Sequence, residues 1–436
     1  MISFIYNGFI IPLTSFLIWI LKRFNPKLAE RQKNYKLSLA NLRKLNLQTK
    51  SETKRIWFHS ASMGEFEQAK SIIEAIKTEN PNLQIVVSFF SPSGYNHQKD
   101  YEFLDAAFYL PIDTNKNAEE LIELINPDAV VFIRYEIWHN FLRQIKNKNI
   151  PLFLVDATVP KRKKLFKYPF LKHFIITNYN YFTEIFTVGQ EHTDFFSKLG
   201  VKSEISTLTD TRFDRIVEKV CNSSSLKLLP DALFKTEKFI LVAGSTWIED
   251  ETIIFEAIEM LRVIDMIDLQ IILVPHEPNK ENLVRIQKSF KNYILLSNLI
   301  NNMIIPYGSS SKKNHFDGMN LLVDSIGKLL GLYKYADFAY IGGGFGAGNH
   351  SVAEPAGYGL PICCGPRINN SEDAKALHQI SSLTIVNNSN ELYYWLKELI
   401  ENPSMRKRKA ELSKKYIWNN QGSSQIISDK ILSKIQ

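Results

Sequence analysis

From residue 56 onward the chain alternates short apolar runs with helical stretches, in two separate series, and this rhythm restricts the fold more than any other feature. The first series gives the strands RIWFHS, LQIVVSFF, AFYLPID, DAVVFIRYEIW, PLFLVDATV, EIFTVG and EISTLTD. Between them lie helical stretches such as EFEQAKSIIEAIKTEN, ended by Asn80–Pro81, AEELIELI, residues 166 to 180, and EHTDFFSKLG. Runs this apolar, separated by helices, predict a mostly parallel sheet covered on both faces. A second series follows: FILVAGST, LQIILVPH, NYILLS, LLVDSI, DFAYIGGG and LPICCG, with helices predicted from about Asp250 to Val263, from Asn279, and from about Ser404 to Trp418. Residues 216–236 lose the rhythm and read as a linker. The predicted organisation is therefore residues 1–21, 22–55 and 56–215, the linker, and 237–436, with the last helix or the tail beyond it crossing back onto the first half. Two Rossmann-like α/β domains facing across a cleft are the architecture of many nucleotide-sugar glycosyltransferases, with ligands at the carboxyl ends of the strands.

The amino-terminal residues set the location. Residues 2–21 carry no charge and are about long enough to cross a bilayer. Tyr6 and Trp19 stand near the two ends, where amphipathic rings favour the interface. No basic residue precedes the run and no small-residue cleavage site follows it, which argues against a cleaved signal peptide. Asn7 and Pro12 weaken a spanning helix, so a shallow monotopic anchor and a buried core helix are the other readings. Residues 22–55 are crowded with Lys22, Arg23, Lys27, Arg31, Lys33, Lys36, Arg43 and Lys44, in a chain of net charge +8. That block orients the rest of the chain to the cytoplasmic side, against anionic lipid. It leads into no nucleic-acid reader motif, and nucleic acid is not an expected partner. Cys221 and the Cys363–Cys364 pair lack metal or CxxC spacing and suit a reducing compartment; no histidine cluster suggests a metal.

The richest motif is GGGFGAGNHSVAEPAGYGLPICCGP, Gly342 to Pro366. A strand that delivers a glycine turn to a helix start, with Pro355 in its first turn, can aim backbone N–H groups at an anion such as phosphate. Glu354 would then accept from a ribose diol. The other reading is that the glycines serve only a tight turn.

Several motifs resemble, in order over nearly the whole chain, those of the 3-deoxy-D-manno-octulosonic acid (Kdo) transferases of lipopolysaccharide assembly. They are HSASMGE (His59 to Glu65), SFFSPSG (Ser88 to Gly94), LPID, NPDAVVFIRYEIWHN, LTDTRFD (Leu208 to Asp214), AGSTWIEDE, VPHEP, VDSIGKL and the HSVAEPA segment. The resemblance implies a GT-B glycosyltransferase with an N-terminal membrane-anchor helix at the cytoplasmic face of the inner membrane. Its donor would be CMP-Kdo and its acceptor a lipid A precursor, with inversion at the anomeric carbon and no cofactor or bound metal. It implies Glu65 as the catalytic base, with Glu136 and Arg212 stabilising charge during transfer. It places CMP at His276, at Ile326, Gly327 and Lys328, and at Gly343, Gly344, His350, Ser351 and Glu354. The chain departs from the family pattern in places. Arg134 stands for the first of two glutamates, and Arg212 for the lysine of Gly-Asn-x-Lys-Phe-Asp. Pro275–His276 lacks the arginine of Pro-Arg-His. Lys328 stands where an acid is common, and Ser351 for an asparagine.

Each functional residue has a plainer reading. Ser62-x-x-Glu65 is a capping box, in which both side chains satisfy the first N–H groups of a helix. Glu136 and Arg212 suit ordinary salt bridges. Arg134 is expected to meet the donor carboxylate or a lipid phosphate bidentately. Two other functions fit such a chain: a GT-B enzyme using a UDP-sugar, and a non-catalytic, membrane-tethered nucleotide-sugar binding protein.

Overall fold

The computed structural model describes residues 2–48, 53–160, 166–223, 228–229, 233, 238–304, 319–346 and 348–435. Its contacts divide into two compact units, Met1–Arg215 with Asn420–Gln436, and Ile216–Asn419.

In the first unit the strands are β1 (Arg55–Ser60), β2 (Gln84–Phe89), β3 (Ala106–Tyr109), β4 (Ala129–Ile133), β5 (Leu152–Ala157), β6 (Glu184–Val188) and β7 (Glu204–Leu208). They form one parallel sheet in the order β3-β2-β1-β4-β5-β6-β7. Every residue of β1, β4 and β5 is buried, which explains why these runs read as continuously apolar. Alternate side chains fill two cores. Trp57, Phe132 and Leu154 face one way, and Phe58, Val131 and Val155 the other, against the helices Met63–Glu79 and Ser423–Ile435.

Two expectations change here and one alternative falls. The strand read through DAVVFIRYEIW stops at Ile133, because Arg134 turns into the left-handed region at φ 65°, although its N–H still reaches the Val155 carbonyl at 2.8 Å. The basic segment is not separate from the domain. Its helix, Pro26–Gln48, buries Leu39 and Leu42 in the core, and the Ser38 hydroxyl accepts the Tyr109 N–H at 3.1 Å. Residues 2–21 are not a core helix, for Phe4, Phe9, Leu13 and Phe16 are all exposed. They form a helix, Ile2–Ile5 and Ile11–Leu21 joined by a π turn at Tyr6–Ile10, and Ser3–Leu21 is long and apolar enough to cross a membrane.

The second unit repeats the theme with β8 (Ile240–Thr246), β9 (Gln270–Pro275), β10 (Tyr293–Leu295), β11 (Asn320–Leu322), β12 (Phe338–Ile341), β13 (Ile362–Cys364) and β14 (Leu383–Ile385). The parallel order is β10-β11-β9-β8-β12-β13-β14. NYILLS holds only three strand residues, since Leu296 opens the helix Leu296–Ile304.

The linker prediction also shifts. Residues 216–223 belong to the helix Arg212–Ser223, and residues 224–227, 230–232 and 234–237 lie outside the described part. Helix Pro403–Trp418 stays in the second unit, where Trp418 Nε1 donates to the Gly357 carbonyl at 3.1 Å. The tail helix Ser423–Ile435 belongs to the first, held by Asp214, which accepts from the Ser424 N–H at 3.0 Å and its hydroxyl at 2.9 Å.

Candidate active site

Strand order reverses across β1 and β4 in the first sheet, and in open α/β sheets that switch point is where ligands collect. Glu65 follows β1 and Glu136 follows β4. Two residues after β1 ends, Ser62 caps the helix Met63–Glu79; its hydroxyl accepts the Glu65 N–H at 3.4 Å, and Glu65 Oε2 accepts the Ser62 N–H at 3.1 Å. The cap and the candidate base are thus the same carboxylate. Burial raises the pKa of Glu65 first and the Glu136 charge adds to it, while His59 and the cap amides pull the other way. A half-buried carboxylate with a raised pKa beside a second carboxylate has the character of a general base.

Glu136 is held from two sides. Its Oε2 accepts from Trp138 Nε1 at 2.6 Å and lies 3.4 Å from His59 Nε2. His59, fully buried on β1, faces its register partner Ser88 on β2, with Nδ1 2.8 Å from the Ser88 hydroxyl. Trp57 Nε1, which can only donate, reaches the same hydroxyl at 2.8 Å. The Ser88 hydroxyl therefore accepts from Trp57 and donates its own hydrogen bond to His59 Nδ1, which leaves Nε2–H to face Glu136. Sequence reading named His59 and Ser88 only as motif letters; the relay that orients Glu136 needs β1, β2 and β4 side by side.

Arg212 lies at the start of helix Arg212–Ser223 with a partly exposed guanidinium; its Nε is 3.3 Å from Asp210. Asp210 belongs to a buried cluster the sequence did not disclose. Arg134 donates to Asp210 Oδ2 at 2.7 Å and, through Nε, to Gln68 at 2.7 Å, while Gln68 donates to Asp210 Oδ1 at 2.8 Å. The expected free guanidinium at Arg134 is thus engaged inside the protein. Behind it Asp156, fully buried at φ 53°, accepts the Thr211 N–H at 3.0 Å. Burial and the Asp210 charge push Asp156 up to about 7. Asp210 is desolvated too, but Arg212 and Arg134 hold it below the usual carboxylate range. The Thr211 hydroxyl donates to the Gln68 carbonyl at 3.1 Å, so it can accept a hydrogen bond from a neutral Asp156. The one signal in the sequence was an aspartate inside the apolar run LFLVDA.

In the second unit the order reverses across β8 and β12. Trp247 follows β8, His276 follows β9 and His350 lies in the loop after β12. Their rings pile up: Trp247 on His276 with centroids 4.7 Å apart, and His276 on His350 at 4.3 Å. Trp247 Nε1 donates to His350 Nε2 at 3.2 Å. Burial, then His276, lowers the His350 pKa, in keeping with that ring accepting a hydrogen bond. Gly343 has φ 91°, and a Cβ there would lie 2.5 Å from the Gly348 carbonyl and 3.0 Å from His350.

The glycine turn is not an open cradle along its whole length. The Gly342 N–H pairs with Gly244, and the Gly343 N–H donates at 2.9 Å to Asp250, a buried carboxylate that also accepts from Tyr340 and the Trp247 N–H. Gly342, Gly343 and Gly344 are buried; a Cβ on Gly344 would meet Gly365 at 2.7 Å. Close packing needs these glycines, and the N–H of Gly343, expected at the phosphate, is already taken by Asp250. The following helix, Ala353–Gly357, is only five residues long, so its dipole is small. Pro355 does sit in its first turn. What remains toward solvent is exposed Ser351, half-buried Glu354, whose charge adds to burial in raising Tyr333, and exposed His276. Ile326, 84% exposed, and Gly327, at φ 80°, form a loop after β11, and Lys328 precedes the helix Leu329–Leu332.

Comparison with known proteins agrees with this layout. The profile of the 3-Deoxy-D-manno-octulosonic-acid transferase (kdotransferase) family matches residues 27–215. The chain is 24% identical to the 3-deoxy-D-manno-octulosonic acid transferase of Haemophilus influenzae over 385 residues, 86% of each chain. It is 26% identical to that of Rickettsia prowazekii over 395 residues, 87% of this chain and 79% of the relative. Among solved structures, UDP-GlcNAc 2-epimerase from Neisseria meningitidis superposes with a TM-score of 0.60 at 13% identity, over 87% of this chain and 100% of that one, a likeness of fold. Two parallel α/β units of this kind are a fold of the GT-B type. The chain is thus similar to the Kdo transferases over most of its length, and those relatives are glycosyltransferases.

Proposed function

We propose that this protein moves Kdo from CMP-Kdo to a hydroxyl of a lipid A precursor at the cytoplasmic face of the inner membrane, with inversion at the anomeric carbon. Glu65 takes the acceptor hydroxyl's proton as the new C–O bond forms. The bond from the anomeric carbon to the phosphate oxygen breaks, and CMP departs with the electron pair. The observation that carries this reading is the Glu65 carboxylate, half-buried in the first turn of the helix that follows β1, with its pKa raised by burial and by Glu136. A base of this kind typically supplies about 10²- to 10⁴-fold in rate.

Glu136, oriented by Trp138 and His59, and Arg212 are assigned to the charge that develops during transfer. The donor nucleotide is assigned to the second unit. His276 and Ser351 offer polar contacts, Glu354 accepts from the ribose, and the loop Ile326 to Lys328 supplies backbone and one cation. Gly343 and Gly344 shape that surface by packing, with His350 laid against Gly343.

The test is mass spectrometry of the lipid formed from CMP-Kdo and a tetraacylated precursor, with titration of CMP and UDP in parallel. Product carrying Kdo, with CMP bound in preference to UDP, supports the proposal. Preference for UDP, or nucleotide binding with no product, contradicts it.

A further inference from the structure

The amino-terminal helix is tethered to the first unit by its polar residues, all on one face. The Tyr6 hydroxyl donates to Asp113 at 2.8 Å, the amides of Asn7 and Asn140 pair at 3.1 and 2.8 Å, and the Ser3 hydroxyl lies 2.9 Å from His139 Nε2. Asp113, His139 and Asn140 are buried parts of the globular unit, and Asp113 also caps the helix His139–Asn147 by accepting from the N–H groups of Asn140 and Phe141. One turn later Ile11 is still buried. The chain is then caught again at Glu30, which accepts from Asn96 at 2.6 Å, and at Arg31, which lies 4.2 Å over the Phe90 ring and donates to the Leu110 carbonyl.

Only residues 12 to 29 are therefore unfixed by these contacts. From Ile11 to Leu21 a helix rises about 15 Å, and from Pro26 to Arg31 about 8 Å. A hydrocarbon core about 30 Å thick is twice the reach of the longer limb. The turn between the limbs carries Lys22 and Arg23, charges that are costly at the bilayer centre. Meanwhile Phe9, Leu13, Phe16 and Leu17, spaced i, i+4, i+7 and i+8, form one exposed apolar stripe, and Phe24 extends it. Exposed Arg23, Lys27, Lys33 and Lys36 accompany the stripe, a charge that fits an anionic lipid surface.

We infer that this helix does not cross the bilayer. It lies in the plane of one leaflet, with Ser3, Tyr6 and Asn7 clamped to the enzyme and the Phe9–Leu13–Phe16–Leu17 stripe in lipid, so that both ends of residues 2–31 stay on the side of the globular units. The inference rests on the proposed attachment to the inner membrane and deepens it.

The experiment uses the full chain with Cys221→Ser, which leaves only the buried Cys363 and Cys364, and a short polar extension before Met1 carrying one new cysteine. Intact spheroplasts of a Gram-negative host are treated with a membrane-impermeant maleimide, then permeabilised and treated again. The expected result is a protein that sediments with membranes in high salt and takes label only after permeabilisation. Labelling of intact spheroplasts means a spanning helix and overturns the inference. A protein found in the high-salt supernatant overturns attachment itself, a separate failure from orientation.

Discussion

Arg134 and Asp210 meet at 2.7 Å inside the first unit. The resemblance implies a glutamate where this chain has Arg134. The two residues form one ion pair, a cation on the loop after β4 and an anion before Arg212, bridged by Gln68 one turn beyond the candidate base. Seen in isolation, Arg134 promised a ligand contact; in the structure its guanidinium is taken by Gln68 and Asp210.

Arg134→Glu should therefore be badly tolerated, because it sets a third carboxylate beside Asp210 and Asp156. Breaking such a buried pair typically costs about 3–5 kcal/mol. Adding Asp210→Asn removes the repulsion, so the double variant is expected to regain much of the loss. Denaturant unfolding of the wild type, both single variants and the double gives the coupling directly.

Asp156 carries a pH signature. Its folded-state value, about 7, lies above the ordinary carboxylate value, so the native state holds a proton that the unfolded state releases. The stability this adds is fully present below about pH 4 and is lost as pH rises through about 7, at roughly 1.4 kcal/mol per pH unit for one group. Asp156→Asn keeps both hydrogen bonds to Thr211 and cannot ionise. Relative to that variant, the wild type should lose stability between pH 5 and 7 and run parallel above pH 8. Parallel curves throughout would mean that Asp156 is ionised when folded.

Much of this was legible in the sequence because it was local. The buried strands announced themselves as apolar runs, and Ser62-x-x-Glu65 announced a cap. The rest depends on pairs far apart in the chain. Gly343 gives its N–H to Asp250 across 93 positions, so the glycine turn looked open when part of it was already satisfied. Gln68 and Asp210 are 142 positions apart, and neither residue type reveals a partner at that distance. Residues 2–21 were apolar enough to read as a span; the polar contacts at Tyr6 and Asn7 that hold them to the enzyme appear only once Asp113 and Asn140 are placed.

Replacing Glu354 tests the donor site. Glu354→Ala should raise the KM for CMP-Kdo while changing kcat little, because the lost contact is made equally in ground and transition states. The fold should persist, since the short helix Ala353–Gly357 is fixed by Ala353, Pro355 and Ala356, all buried. Unchanged donor saturation would remove Glu354 from the ribose.

The most direct test of the account is the turnover of Glu65→Gln in a detergent-based transfer assay with CMP-Kdo and a lipid A precursor. Glutamine can still accept the Ser62 N–H and complete the capping box, so melting should stay within about 1 kcal/mol of wild type. As a base it is inert, and turnover should fall by about 10²-fold or more. A folded Glu65→Gln protein that transfers Kdo at nearly the wild-type rate would show that Glu65 only caps its helix.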